Sequence, residues 1–396
     1  MMNGLPRDPF DLTIKPVPVR QLLEFANAAN NDPLTYAVLP IDPIRAAAQA
    51  LNPVADEKDI GLMVAYSEGR CIGHQGLIPI QISIDGELRK VIASVALFIH
   101  SDFRGKRNRE GLTVAEAIYR RSLDHGYDIM NTGFGRARQR LHERRPEWFV
   151  RLPPLFFRRI RLSYLQPLST GLRRLALRSR GDVVLRAYRL AQGIIDRRVA
   201  RVYSHLLGTG IASETGEWRI VKVEKIIEPK HVDATSKSSI YFPRSTETIN
   251  WMVTHPWHPI GGNPYPRCYF CNSRERFEYS AFHFINSAGS GAGYFVLVIS
   301  TDQLYTTLRI LDFHVTDRRM EPQILKFAIR EALRQSANSV ECSDRFGSYI
   351  NANPLLHLLT YRMERPYWLG LQPTSPLANR LGEVCVDYCD GERPYL

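Results

Sequence analysis

Apolar and polar positions along the chain change period several times, and the period separates strands from helices. In the first half, alternating or continuous apolar runs bounded by turn residues predict strands at residues 12–17, 60–65, 71–84, 91–99, 127–134 and 155–165. Runs with a helical period predict helices at residues 19–30, 43–51, 112–125 and 136–145. Asp85 and Gly86, between two long strands, predict a tight hairpin turn.

The second half repeats this order of elements although it does not repeat the residues. Strands are predicted at 218–227, 277–285, 294–300, 307–315, 339–344 and near Tyr367, and helices at 246–254, 322–335 and 351–361. The repeat predicts an α/β (α+β) fold with two domains, each a mixed, mostly antiparallel central sheet flanked by helices. The expected boundaries are residues 1–165, a helical linker at 166–216, and residues 217–396.

Composition excludes several classes of protein. The 396 residues are 44% hydrophobic and 23% charged, which is too apolar for a disordered chain and long enough for two cores. The longest apolar run, residues 91–99 apart from Ser94, is far shorter than the ~20 residues of a membrane-spanning helix. Six scattered cysteines and the absence of a leader-like start favour a cytoplasmic protein with reduced thiols.

The positive charge of the chain is concentrated in one segment. The formal net charge is +12, but between Arg136 and Arg201 there are 18 Arg, no Lys and four acidic residues, so this segment carries 18 − 4 = +14. Residues 184–206 also have the apolar period of an amphipathic helix. An acidic acyl carrier protein or an anionic membrane surface, at the inner face of the membrane, would suit such a segment. A linker helix with a solvated basic face is the simpler alternative, and nothing in the pattern favours nucleic acid.

A basic loop between a buried strand and a helix is the strongest motif. Four cations, Arg104, Lys106, Arg107 and Arg109, fall within six residues that lead from the strand at 91–99 to the helix after Gly111. Loop N–H groups and a helix N-terminus attract anions, so this position predicts a pyrophosphate site, with a solvated turn as the alternative.

The segment 99–112 (IHSDFRGKRNREGL) resembles the acyl-CoA-binding loop of the GNAT acyltransferase superfamily, Pro-x-Tyr/Phe-Arg-Gly-Lys-Gly-x-Gly. The matching residues are Phe103, Arg104, Gly105 and Lys106. Ser101 stands in place of the proline, Arg107 in place of the next glycine, and Gly111 is displaced by an apparent insertion. The resemblance in strand order covers residues 12–165, with a weaker copy at 218–372.

This resemblance implies a tandem GNAT arrangement in which the first domain holds acyl-CoA or an acyl-phosphopantetheine as co-substrate. The implied binding residues are strand amides and the loop: Leu97, Phe98, Ile99, Arg104, Gly105, Lys106, Arg107, Asn108, Arg109 and Gly111. The corresponding segment of the second half, residues 312–320, contains no glycine. The second domain is therefore expected to be degenerate and to help shape the acceptor site.

Acyl transfer to an amine requires a base for the ammonium proton and often a tyrosine that protonates the leaving thiolate. Asp312 and His314 alternate onto one face of the strand at 307–315 and are the predicted base, with a structural pair as the alternative. Tyr361, eight residues after Asn353, is the predicted acid by its loose likeness to a helix pair of the family. The first-half strand has Ser94 as its one polar residue and offers no carboxylate.

The sequence thus predicts an N-acyltransferase that uses acyl-CoA or acyl carrier protein and a small-molecule amine acceptor. Two alternatives stay open. One is a FemABX-like transferase that uses aminoacyl-tRNA, and the other is a non-catalytic tandem module that binds an anionic partner or membrane surface.

Four soft ligands in the second half raise the question of a zinc site. His255, His258, Cys268 and Cys271 have the spacing His-x2-His-x9-Cys-x2-Cys. Four prolines extend this segment, and an x2 spacing next to a strand points two side chains to opposite faces. We therefore expect no metal.

Overall fold

The structure, a computed structural model, describes residues 10–132, 136–162, 218–227, 240–262, 264–269, 275–286, 289–302 and 305–386. Contacts divide the described chain into two compact units. Unit 1 draws on Met1–Leu155, Thr235–Ser273 and Arg365–Leu396, and unit 2 draws on Phe156–Ala234 and Arg274–Glu364. Within the described residues no helix combines the length and the apolar character needed to cross a membrane.

The first part of the chain contains strands and helices close to those predicted. They are β1 (Thr13–Pro18), α1 (Leu22–Asn31), α2 (Pro43–Ala50), β2 (Ile60–Ser67), β3 (Arg70–Ile84), β4 (Glu87–Ile99), α3 (Val114–Leu123), β5 (Ile129–Thr132), α4 (Arg136–Arg144), β6 (Phe149–Arg151) and β7 (Leu155–Arg161). Asp85 and Gly86 have φ values of 52° and 89° and form the predicted hairpin turn between β3 and β4.

The remainder repeats three antiparallel strands, a helix, a strand, a helical segment and a strand. Its elements are β8 (Trp218–Val223), β9 (Ile240–Tyr241), α5 (Thr246–Thr254), β10 (Arg276–Asn286), β11 (Gly291–Asp302), β12 (Tyr305–Val315), α6 (Glu321–Arg334), β13 (Ser339–Ser343), α7 (Gly347–Ala352), α8 (Pro354–Leu359), β14 (Thr360–Arg365), β15 (Tyr367–Gly370) and β16 (Val384–Cys385).

Unit 1 is built on a sheet with the order β1-β2-β3-β4-β5-β15-β6, which β9 and β16 extend at β3. Along the main path the pairings are antiparallel except that of β4 with β5, which is parallel. Alternate residues of β2 enter different cores, because successive side chains of a strand point to opposite faces. Leu62 and Val64 pack with α1 and α2, whereas Met63 packs with Ile118 of α3.

Unit 2 is built on a second sheet, with the order β14-β7-β13-β12-β11-β10-β8. The pairing of β12 with β13 is parallel, as is that of β4 with β5 in unit 1. Helix α6 covers one face through Ile324, Ala328 and Ile329, which share a core with Phe282 and Phe295. The predicted fold class, two mixed and mostly antiparallel sheets flanked by helices, is confirmed.

The two units are not the two contiguous halves that the sequence predicts. Strand β7, expected to close the first domain, pairs with β13 in the second sheet, and β15 pairs with β5 and β6 in the first. A strand pattern shows that a segment is extended but not which edge it will pair with, so the boundaries at 165 and 217 differ from the observed units. The predicted linker at 166–216 lies outside the described residues.

The predicted helix at 351–361 is also wrong. Pro354 has no N–H and cannot lie inside one continuous helix, so the chain forms α7 and α8, with Pro354 in the first turn of α8. Asn353 caps α8 by accepting a hydrogen bond from the Leu356 N–H at 3.1 Å. Tyr361 consequently lies on strand β14 rather than on a helix.

Candidate functional site

The C-terminal end of β4 has one open edge. The parallel pairing with β5 comprises three residue pairs, from Ile92 with Ile129 to Ser94 with Asn131, and then stops. Beyond it, β4 continues to Ile99 with β3 on its other side. Among the described residues no strand covers the free edge of residues 95–99, so its N–H and C=O groups can pair with an extended ligand.

A β-bulge re-aims this part of β4. Val95 lies opposite Gly76 and Phe98 lies opposite His74, so two residues of β4 face the single residue Gln75. Ala96, inside the bulge, has a φ of +52°, which is uncommon for a residue with a side chain. Leu97, Phe98 and Ile99, the implied pantetheine contacts, therefore lie at or just beyond a strained bulge beside the open edge.

The loop after β4 is ordered by its own hydrogen bonds. The Asn108 side-chain oxygen accepts from the N–H groups of Glu110 (3.1 Å) and Leu112 (2.9 Å), and the Asn108 N–H donates to the Leu112 carbonyl (2.8 Å). Gly105 and Gly111 have φ values of 78° and 75°, which suit glycine. Within the described part of the chain, the N–H groups of Gly105 and Arg107 have no hydrogen-bond partner. They alternate with the bonded N–H groups of Arg104, Lys106 and Asn108 and are available to an anion.

The loop carries a positive excess. The four cations are Arg104, Lys106, Arg107 and Arg109 and the two carboxylates are those of Asp102 and Glu110, so residues 101–111 sum to 4 − 2 = +2. The Arg104 Nε donates to the Ile99 carbonyl at 3.0 Å and ties the loop to the end of β4. The ion pair of Arg109 with Asp11 at 3.0 Å joins side chains that are 73% and 71% exposed. Such a pair is weak, so a phosphate can replace the carboxylate.

The N-terminus of α3 differs from the sequence-based expectation. Thr113 and Glu116 form a capping box, in which the Thr113 N–H donates to Glu116 at 2.8 Å and the Glu116 N–H donates to Thr113 at 3.3 Å. Glu116 also accepts from the Arg145 Nε at 2.7 Å and lies 3.9 Å from Arg107. This buried carboxylate occupies the positive end of the helix, so the loop amides and cations, and not the helix end, are the groups that remain to face an anion.

The environment of Glu116 keeps it ionised. Burial alone would raise its pKa, but the hydrogen bonds from Arg145 and Thr113 outweigh that effect and lower the pKa below its ordinary value. Sequence reasoning missed this residue, although the spacing Thr-x-x-Glu before an apolar run is the known signal of a capping box.

A buried polar network lies where β4 and β5 stop pairing. The Tyr119 hydroxyl donates to the Asn131 side-chain oxygen at 2.8 Å and lies 3.3 Å from the Ser94 hydroxyl, which accepts from Gln75. All four residues are fully buried and come from α3, β5, β4 and β3. Only Ser94 was recognised from the sequence, because it interrupts an apolar run. Tyr119 follows the helical period of a core residue, and that hides its polar contacts.

The predicted catalytic residues do not meet at one point. Asp312 and His314 lie two residues apart on β12, and Asp312 accepts a hydrogen bond from the neighbouring Phe313 N–H at 2.9 Å. Tyr361 lies on β14, where its hydroxyl accepts from Arg159 at 3.1 Å. Strands β13 and β7 separate β12 from β14 in the sheet, so the strand of Tyr361 lies three strand spacings, about 14 Å, from that of Asp312 and His314. Their catalytic roles stay predictions.

Three described arginines of the basic segment form ion pairs within their own units. Arg145 pairs with Glu116, Arg158 pairs with Asp344 at 2.6 Å, and Arg159 pairs with Glu341. These three side chains therefore serve the packing of their own units. Residues 163–201 of the segment lie outside the described part.

The soft ligands considered for zinc are only partly described. The His255 ring nitrogen Nδ1 lies 2.8 Å from the Thr254 hydroxyl, and Cys268 packs in a small apolar core with Ala29 and Leu39. Cys271 lies outside the described residues. Among those that are described, no three His, Cys, Asp or Glu residues are grouped to hold a metal ion.

Comparison with known proteins gives structural likenesses alone. No protein-family model and no curated protein matches the sequence. A conserved protein of Enterococcus faecalis described as a "probable N-acyltransferase" is similar at 9% identity and a TM-score of 0.47, over 91% of this chain and 72% of that one.

Two further structures have similar scores. N-myristoyltransferase of Saccharomyces cerevisiae with bound myristoyl-CoA is 10% identical, with a TM-score of 0.46 over 93% of this chain and 85% of that one. A GCN5-related N-acetyltransferase of Anabaena variabilis is 10% identical, with a TM-score of 0.43 over 91% and 72% of the two chains.

Proposed function

We propose that the protein is an N-acyltransferase that moves an acyl group from a phosphopantetheine thioester to an amine. The observation that carries the proposal is the open edge of β4, which ends directly at a basic loop with unbonded N–H groups. A pantetheine arm contains amides that can pair with a strand edge, and it ends in phosphate. The spacing of these two features along the chain fits the two chemical parts of such a donor.

The transfer joins the amine nitrogen to the acyl carbon and breaks the carbon–sulfur bond. An ammonium nitrogen loses two protons, one to the base before attack and one from the adduct, and the leaving sulfur gains one, so a base and an acid are needed. Asp312 and His314 remain the predicted base, and Tyr361 the predicted acid. Tyr119 is a second candidate for the acid, because its hydroxyl lies at the point where β4 and β5 separate.

We also propose that the basic segment between Arg136 and Arg201 recruits the donor or a membrane surface. An acyl carrier protein is acidic and would be attracted by it. Changing Arg186, Arg189 and Arg197 to Glu should weaken transfer from an acyl carrier protein more than transfer from acyl-CoA. Equal losses with both donors would count against this role.

The direct test of the function is a mass-spectrometric assay for acylated amines with a panel of acyl-CoAs. Gly105→Glu places a carboxylate in the loop, where we expect the KM for acyl-CoA to rise about tenfold or more through repulsion of the phosphates. Gly69→Glu is the matched control. Gly69 also has a positive φ (75°), and at both sites a new Cβ meets no atom within 4 Å. The KM of the Gly69→Glu variant for acyl-CoA should be unchanged.

Two results would contradict the proposal. One is the absence of an acylated product with every acyl-CoA and acyl carrier protein. The other is transfer from aminoacyl-tRNA that Gly105→Glu leaves intact, which would instead favour the FemABX-like chemistry.

A further inference from the structure

Unit 2 contains a cavity that the acyl-transfer proposal does not use. It has a volume of about 140 Å³ and lies between the C-terminal half of α6 and strands β10 and β11. Its apolar surface is formed by Phe282, Leu297, Ile299, Leu308 and Phe327. An engineered apolar cavity of about 150 Å³ binds benzene, so a single six-membered ring is the size of ligand that this space admits.

The fold does not require this cavity, because the corresponding region of unit 1 is filled by side chains. In the strand order, β1 and β2 of unit 1 correspond to β8 and β10 of unit 2, and α3 corresponds to α6. In unit 1 the region below α3 is packed, since Phe10, Ile14 and Tyr127 join the core cluster of Ile118. The second copy has a cavity where the first has side chains.

Charged side chains surround the opening, and two of the three cations have close partners of their own. Arg276 is 2.7 Å from Glu278, and Arg334 is 2.6 Å from Glu331. Lys222 reaches Glu278 only at 3.9 Å, and its side chain is 63% exposed. Among the described lining residues, three cations against two carboxylates leave one positive charge, and Lys222 is the cation with the weakest partner.

We propose that this cavity binds a small monocarboxylate with a single-ring or similarly sized branched aliphatic body. The ring occupies the apolar space, and the carboxylate faces Lys222 at the rim. The single negative charge balances the excess of the rim, whereas a cationic ligand would add to it. This binding is independent of acyl transfer and of the phosphate-binding loop.

The test compares three ligands with the same ring, namely benzoate, benzyl alcohol and benzylamine, by calorimetric or NMR titration of the full-length protein. One partly exposed ion pair should make benzoate bind about fivefold more tightly than benzyl alcohol, with benzylamine the weakest. Equal affinities, a preference for benzylamine, or no binding of benzoate at about 10 mM would overturn the proposal.

Variants locate the binding site. Ser280 lines the cavity from β10, so Ser280→Phe fills it with a ring and should abolish benzoate binding. Lys222→Gln should remove the roughly fivefold preference for benzoate over benzyl alcohol. Lys225→Gln is the control, because Lys225 is exposed and does not line the cavity. If Ser280→Phe does not fold, the comparison of Lys222→Gln with Lys225→Gln still tests the proposal. A preference for benzoate that survives Lys222→Gln contradicts it.

Discussion

Glu116 links the start of α3 to Arg145, and its removal should destabilise unit 1 measurably. Glu116→Gln keeps the volume of the side chain but removes its charge. The carboxylate, 6% exposed, accepts bonds from the Arg145 Nε and the Thr113 N–H. Losing a charge-assisted hydrogen bond costs about 1.5–3 kcal/mol, and a weakened cap adds about 0.5–1 kcal/mol. Arg145 retains Glu147 at 3.4 Å. We therefore expect a loss of about 2–3 kcal/mol.

Urea unfolding followed by circular dichroism measures this loss. Glu110→Gln is the matched control, because Glu110 pairs with Arg120 at 3.5 Å between side chains that are 66% and 57% exposed. Such a pair contributes about 0–0.5 kcal/mol. If the two variants differ by less than about 0.5 kcal/mol, Glu116 does not hold α3 in the way described.

The pH dependence gives an independent check on Glu116. Because the folded protein holds the pKa of Glu116 below the ordinary glutamate value of 4.5, its stabilisation is complete above that pH. It is lost as pH falls through the lower pKa of the folded state. The stability difference between wild type and Glu116→Gln should therefore shrink as the solution is acidified below pH 4.5, and a difference that grows would refute the ionised state.

Two further variants test other parts of the account. Lys90→Met removes the cation 2.6 Å from Asp59, whose side chain is 1% exposed. The free energy of unfolding in urea should therefore fall by about 2–3 kcal/mol. A loss below about 0.5 kcal/mol would contradict this. Tyr119→Phe should lower kcat about a hundredfold with an alkyl thioester and far less with an aryl thioester, whose thiolate leaves without a proton. The same test applies to Tyr361→Phe, since Tyr361 is the first candidate for the acid: whichever of the two variants shows this pattern identifies the acid, and the pattern in neither would contradict both assignments.

The sequence predicts most elements because each depends on local pattern. The apolar run ending at Ile99, the turn at Asp85 and Gly86, and the position of the basic loop all follow from neighbouring residues. The partners of β7 and β15 do not, because strand pairing depends on contacts between residues that are far apart in the chain.

The candidate site shows the same division. The resemblance to the GNAT loop pointed to residues 97–99 and 104–111, and their binding role stays a prediction. The bulge at Ala96 has no sequence signal, since a glycine would be the usual residue at a positive φ. The capping box of Thr113 and Glu116 had a signal, and the bonds of Tyr119 to two other strands had none.

The central claim is that the donor lies along the open edge of β4 and against the loop. Amide hydrogen exchange with and without CoA, read by mass spectrometry, tests this claim most directly. The account predicts added protection in peptides that cover residues 95–112, and the loss of that protection in Gly105→Glu but not in Gly69→Glu. Protection that appears only outside these residues, or no protection at saturating CoA, would contradict it.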